Sequence, residues 1–215
     1  MDISRIYSKV FGWMFIGLLV TFGTGFLLAN SPELLIAIYS NTWLYIALII
    51  AELAFVIVFS ARVTKMSKAG AITCFLGYSI LTGLTFASVF LVYSLESIFL
   101  CFGAAAALFG IMAVFGYVTK IDLSRFGAVL FMILLGSVIV SLINLFIGNT
   151  TVDLFLSIII LAVFICYVAY DMKKITAMVE FAGEDNGSIY MALQLYLDFI
   201  NIFLRLLQLF GGRDD

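Results

Sequence analysis

The chain has 215 residues, a formal net charge of −2 and no histidine, and 65% of its residues are hydrophobic while only 11% are charged. A soluble domain of this length could not cover that much apolar surface with polar side chains. The composition therefore excludes a water-soluble globular domain and indicates an integral membrane protein.

Seven apolar segments follow one another, each near or above the roughly 18 residues needed to cross a bilayer. They are Val10–Leu28, Leu44–Ala61, Ala69–Tyr93, Ile98–Val118, Phe126–Ile147, Leu154–Tyr170 and Met191–Phe210. The segment Leu34–Tyr39 is too short to cross, so we expect it at the membrane interface. With short loops and no linker, the sequence predicts one all-α domain over residues 1–215 with seven transmembrane helices.

Lysine and arginine occur in alternate loops of this arrangement. They lie before the first segment, between the second and third, between the fourth and fifth, and after the sixth, at Arg5, Lys9, Arg62, Lys65, Lys68, Lys120, Arg125, Lys173 and Lys174. The positive-inside rule then predicts a cytoplasmic N-terminus and, after seven crossings, a C-terminus outside. The alternative is that the last segment re-enters and leaves Gly211–Asp215 inside.

The last segment carries a polar stripe. Its polar residues are spaced by four, three, four and three positions, which places them on one face of a helix: Gln194, Asp198, Asn201, Arg205 and Gln208. A charge near the bilayer centre costs a few kcal/mol or more unless it faces protein or water. We therefore expect this helix to be surrounded by the others and its stripe to line an interior. The alternative is a polar seam that only holds helices together.

Several kinds of chemistry are excluded. Without histidine there is no Ser-His nucleophile and no histidine-ligated zinc site. No nucleotide-binding motif is present, so an enzyme is not expected, and neither a cofactor nor a nucleic-acid partner is predicted. Gly103, Ala106/Ala107, Gly110 and Gly116 of the fourth segment instead resemble the small-xxx-small pattern of close helix–helix contacts.

Asp171 and Asp198 are predicted to lie at the same depth. The stretch Gly183–Gly187 is a turn signal, with Asp171 twelve residues before it and Asp198 eleven residues after it. Two close carboxylates in a low-dielectric site cannot both ionise cheaply, so they tend to share a proton and form a pH-sensitive latch. Arg62, at the same cytoplasmic end, is a candidate partner for the ionised pair. The alternative is that Asp171 caps a helix end in headgroup water.

Glu52 is the other intramembrane acid. It lies 10 residues outward from Arg62, and Arg205 lies seven residues outward from Asp198, so their depths are similar. A Glu52–Arg205 ion pair inside the bundle is therefore expected. The alternative is that Arg205 extends towards the membrane surface instead.

Several stretches in order resemble the transmembrane Bax inhibitor motif family, in its bacterial members. The strongest is the run from Leu195 to Phe203, LYLDFINIF. The others are Glu52 with Ser60-Ala61-Arg62 in the second segment, Gly83-Leu84-Thr85-Phe86 through Tyr93 in the third, Thr119–Ser124 followed by Gly127, Gly136 and Asn144 after the fourth, and Tyr170–Ile175 at the end of the sixth. The resemblance covers most of the chain.

This resemblance implies a last helix wrapped by two three-helix layers. It also implies a passive, pH-regulated calcium leak in the bacterial inner membrane, with Asp171 and Asp198 as the sensing pair, Arg62 as their partner and calcium as the transported ion. Asp171 and Asp198 would then contact calcium directly. The alternative function is a regulatory protein that binds and modulates a membrane protease without conducting ions.

Overall fold

A computed structural model describes residues 2–212, which are helical almost throughout. The α-helices are α1 (Ile3–Ala29), α2 (Pro32–Tyr39), α3 (Thr42–Arg62), α4 (Lys68–Val92), α5 (Leu95–Val118), α6 (Phe126–Ile147), α7 (Thr150–Ala182) and α8 (Glu184–Phe210). All of them except α2 are long and apolar enough to cross a membrane. The predicted all-α class with seven transmembrane helices is confirmed, and α2 is the short segment expected at the interface.

The connections between helices are short because side chains cap the helix ends. Asn41 accepts hydrogen bonds from two backbone N–H groups at the start of α3, and Ser67 and Ser94 each accept one at the starts of α4 and α5. Gly148 and Gly183 have φ angles of 69° and 84°, and they end α6 and α7. Glycine adopts this left-handed conformation without steric cost, so the chain reverses within one or two residues.

The α7–α8 connection is shorter than predicted. The turn expected over Gly183–Gly187 occupies Gly183 alone, because α7 continues to Ala182 and α8 begins at Glu184. Hydropathy falls after Tyr170, but Ile175 and Val179 remain buried, so the helix continues as an amphipathic one. A Cβ on Gly187 would lie 2.6 Å from Val179 Cα. Gly187 is therefore a helical residue that allows close packing, not a turn residue.

The chain folds into two compact units. The first unit contains residues 2–93 and 175–196, and the second contains residues 94–174 and 197–212. In the first unit, α1 packs along α4 through Gly17, which lies against Phe75, and Gly83, which lies against Thr24. The second unit contains α5, α6, the first part of α7 and the last part of α8. The single domain and the two three-helix layers stay predictions.

The last helix is the most buried of the seven. Of its membrane-length window, 67% is buried, against 6 to 44% for the other six. The prediction that protein surrounds this helix is confirmed. It is continuous over 27 residues, or about 40 Å, and does not reverse as a re-entrant segment would. Asp215, for which an outside location was predicted, lies outside the described residues.

Candidate functional site

Asp171 on α7 and Asp198 on α8 come together in the second unit. They are 3% and 4% exposed. Their carboxylates interact electrostatically with each other, and both interact with the hydroxyl of Tyr167, one turn before Asp171 on α7. The structure therefore places the two acids singled out from the sequence in one buried cluster.

Side-chain direction explains why these two residues meet despite the shortened turn. Asp171 lies 12 residues before Gly183 and Asp198 lies 15 residues after it, so their backbones differ by about 4.5 Å in distance from the turn. Helical side chains lean towards the N-terminus of their own helix. Asp171 therefore leans away from the turn and Asp198 leans towards it, which compensates for the offset.

Lys174 is the cation beside this pair within the second unit. Its Nζ lies 3.5 Å from Asp171 Oδ1, at a spacing of three residues on α7. The same ammonium lies 4.7 Å from the centroid of the Tyr170 ring, a distance at which a cation is attracted to an aromatic face. Sequence reasoning did not identify Lys174 as a partner, although the i,i+3 spacing from Asp171 was the available signal.

Asp198 has a less favourable environment than Asp171. Its Oδ2 is buried and has no hydrogen-bond partner among residues 2–212. A buried carboxylate oxygen without a donor loses its hydration and gains nothing in return. With one lysine for two acids, the pair is poorly compensated when both carboxyls are ionised, and one shared proton would relieve that imbalance.

Glycines hold the turn of α7 that carries Asp171. A Cβ on Gly116 of α5 would lie 2.6 Å from Ala169 O and 2.9 Å from Met172 Cβ, and a Cβ on Gly127 of α6 would overlap the Tyr170 ring. Helix α5 therefore approaches the α7 backbone closely next to Asp171, while Gly127 leaves room on α6 for the end of the Tyr170 ring. The expected close contacts at Gly103 and Gly110 are wrong. Among residues 2–212, no atom of a neighbouring helix lies within 4 Å of the point that a Cβ would occupy on either glycine.

The remaining residues of the α8 stripe are partly satisfied within their own helix. Asn201 donates to Leu197 O at 2.8 Å. Arg205 Nη1 donates to Gln208 Oε1 at 2.6 Å, while its Nε is buried and has no hydrogen-bond partner among the described residues. Gln194 is half-buried. Within the described residues, the charged members of the stripe, Asp198 and Arg205, are the ones that have a buried polar atom without a hydrogen-bond partner.

Glu52 and Arg62 belong to the first unit. Glu52 is half-buried on α3 and accepts a hydrogen bond of 2.7 Å from Thr85 Oγ1 on α4. Arg62 is the last residue of α3 and is exposed. The Glu52–Arg205 pair and the role of Arg62 as a partner of the aspartates stay predictions.

The aspartate pair is not a cage for a metal ion. Within residues 2–212, no group of three or more His, Cys, Asp or Glu side chains could hold a metal. Two carboxylates supply at most four oxygens, whereas Ca²⁺ takes six to eight. The arrangement can exchange a proton and contact a passing cation, with water supplying the remaining ligands.

Comparison with known proteins extends over the whole chain. Residues 3–215 match the family Bax1-I, described as inhibitor of apoptosis-promoting Bax1. The inner membrane protein YbhL of Escherichia coli strain K12 is 42% identical over 212 residues, which cover 96% of this chain and 91% of that protein. An uncharacterized protein of Deinococcus radiodurans is 39% identical over 217 residues, covering 99% of this chain and 93% of its own length. An uncharacterized protein of Borreliella burgdorferi is 35% identical over 215 residues, which cover 98% of this chain and 93% of that protein.

Proposed function

Because the chain belongs to the Bax inhibitor family and carries seven helices able to cross a membrane, we propose that it is a pH-regulated passive calcium leak of the bacterial inner membrane. The similarity to a protein named as an inner membrane protein supports the location. The Asp171–Asp198 pair is the proposed sensor.

The observation that carries the proposal is the buried cluster of two interacting carboxylates beside Lys174. A protein that acts only as a docking surface has no evident use for two acids that are 3% and 4% exposed. Intramembrane acids of this kind occur mostly along ion and proton pathways.

The pair responds to pH through its total charge. When both carboxyls are ionised, Lys174 offsets one of the two negative charges, and the other remains between α7 and α8 without a compensating cation within the described part of the second unit. When acid protonates the pair, first at Asp198, which has no cation beside it, and then at Asp171, the pair loses the charge that holds a cationic partner, and the latch loosens. The leak therefore increases towards acidic pH, without any histidine taking part.

The proposed ion is calcium, because the proposed path contains carboxylate oxygens. Carboxylates are preferred ligands of hard cations, and a site of two carboxylates that leaves the remaining ligand positions to water holds such an ion less tightly than a complete protein cage does. A passive path needs this property, because an ion held by a complete cage would not leave.

Calcium flux into liposomes that contain only the purified protein tests the proposal. We expect calcium entry down its gradient without ATP, with a rate that rises from about pH 8 to about pH 5, the range in which neighbouring buried carboxyls titrate. Calcium entry no faster than into empty liposomes at every pH would refute the leak, and the protease-modulator hypothesis would then lead.

The variant Asp198→Asn tests the sensor separately from the leak. An amide cannot titrate, so the flux of this variant should depend much less on pH than that of the natural chain. Asp122→Asn is the matched control, because Asp122 lies in the exposed α5–α6 loop and accepts only a local 2.9 Å hydrogen bond from Ser124 N. An unchanged pH profile in Asp198→Asn would remove the pair as sensor even if calcium passes.

A further inference from the structure

Lys174 contacts an aromatic ring as well as a carboxylate. Its Nζ lies 3.5 Å from Asp171 Oδ1 and 4.7 Å from the centroid of the Tyr170 ring. Tyr170 and Asp171 precede Lys174 by four and three residues on α7, which are the two spacings at which helical side chains are neighbours. Side chains lean towards the N-terminus of their helix, so the lysine stem extends back over both residues. The ammonium is therefore held by two groups at once.

The ring matters because an ion pair of this exposure is weak by itself. The Lys174 side chain is 42% exposed, whereas that of Asp171 is 5% exposed. An ammonium on a flexible four-carbon stem can turn from the carboxylate into water. A second attractive contact, on the face of an aromatic ring, favours the conformation in which the ammonium stays beside the buried acid. The neighbouring Lys173 is directed elsewhere, to Thr119 O at the end of α5.

The Tyr170 ring is held in place by neighbours on two helices. Its hydroxyl end fits over Gly127 near the start of α6, where a Cβ would overlap the ring. On α7 it makes an edge contact with the Tyr167 ring, with 6.0 Å between the centroids and 71° between the planes. A ring held in this way presents a fixed face to the ammonium of Lys174.

The charges around Lys174 make its position important for proton uptake. Asp171 on α7 and Asp198 on α8 both interact electrostatically with it, and the Tyr167 hydroxyl interacts with both carboxylates. A nearby cation favours the ionised form of a carboxyl group. The pair should therefore take up a proton at a lower pH when the ammonium is held in place than when it is free to turn into water.

We propose that Tyr170 is a positioning residue, which holds the Lys174 ammonium beside Asp171 and so sets the pH at which the aspartate pair takes up its proton. This role rests on the proposed function of the pair as a pH sensor, and it adds a residue that regulates the sensor. Because Gly127 fixes the ring, a displacement of the start of α6 also changes the proton affinity of the pair.

Infrared spectroscopy of the purified chain in calcium-free lipid nanodiscs tests this role, because protonated and ionised carboxyl groups absorb separately. The pH-dependent carboxyl band that Asp198→Asn removes reports the pair. Tyr170→Leu should move the pH midpoint of this band upward by about 0.1–0.7 units, and no further than Lys174→Gln does, because a partly exposed cation is held less well. Tyr170→Phe is the matched control, since it keeps the ring face and should leave the midpoint unchanged.

A double-mutant cycle separates positioning from general damage to the fold. In a Lys174→Gln background, Tyr170→Leu should cause no further shift, because the ammonium that the ring positions is absent. Gly127→Ala keeps every charge and every ring but overlaps the end of the Tyr170 ring. It should also move the midpoint upward when Lys174 is present, and not when Lys174 is replaced.

The outcomes distinguish this role from the proposed sensor. A midpoint that Tyr170→Leu leaves in place, or moves equally with and without Lys174, would overturn the role of Tyr170 and leave the aspartate pair as sensor. If Asp198→Asn removed no pH-dependent band, both the sensor and this role would be refuted. The measurement involves no calcium, so a chain that conducts no calcium can still confirm or refute the positioning.

Discussion

The contact between Gly116 and α7 offers a direct test of how the sensor is positioned. A Cβ at residue 116 would lie 2.6 Å from Ala169 O and 2.8 Å from Ala169 Cα, whereas ordinary contact begins at 3.4 Å. The atoms it would strike are backbone, so no side-chain rotation relieves the overlap. Gly116→Ala therefore requires α5 and α7 to separate by about 0.8 Å, beside the residue that carries the proposed sensing carboxylate.

The expected cost follows from comparison with a glycine on the same helix. Gly110 has nothing within 4 Å of its Cβ position, so Gly110→Ala keeps the gain in helix propensity without the overlap. Overpacking costs about 1–3 kcal/mol, so Gly116→Ala should be less stable than Gly110→Ala by about 2 kcal/mol. For a chain of this size that corresponds to a melting temperature lower by about 4–8 °C.

Thermal unfolding in nanodiscs, followed by circular dichroism, measures this difference between the two variants. Calcium flux in liposomes provides the functional readout, because a displaced Ala169–Met172 turn moves Asp171. We expect Gly116→Ala to change the pH profile of the flux and Gly110→Ala to leave it unchanged. Equal melting temperatures for the two variants would refute the argument that this glycine sets the distance between α5 and α7.

Two further predictions concern charge and topology. Lys174→Gln should move the pH midpoint of calcium flux upward by about 0.1–0.7 units, because the ionised pair loses a partly exposed cation worth about 0.2–1 kcal/mol. Lys173→Gln is the control, since the exposed Lys173 contacts Thr119 O instead, and it should leave the midpoint unchanged. Equal shifts in the two variants would contradict the specific role of Lys174. In a variant without the native cysteines, Ser4→Cys should be labelled from the cytoplasmic side and Thr150→Cys from the outside; labelling of both from one side would contradict the positive-inside orientation.

The sequence by itself determined the membrane class, the number of crossings and the burial of the last helix. These follow from segment length, from hydropathy and from the cost of charge in lipid, which are properties of each segment alone. The Phe126–Ile147 segment was predicted with the bounds that α6 has. The sequence also predicted that Asp171 and Asp198 lie at a similar depth, because both flank one turn and the rise per residue of a helix is fixed.

Only the tertiary structure decided which neighbours these residues have. Hydropathy cannot separate Gly116, which packs on α7, from Gly110 on the same helix, because contact depends on the direction in which each Cβ position points. Helix α7 also continued past the apolar segment that predicted it, since buried residues on one face maintain a helix after mean hydropathy falls. The partner of Asp171 within the second unit was Lys174, one turn away on α7. Whether a buried oxygen such as Asp198 Oδ2 finds a donor among residues 2–212 depends on the combined positions of several helices, so it is decided only once those helices have packed.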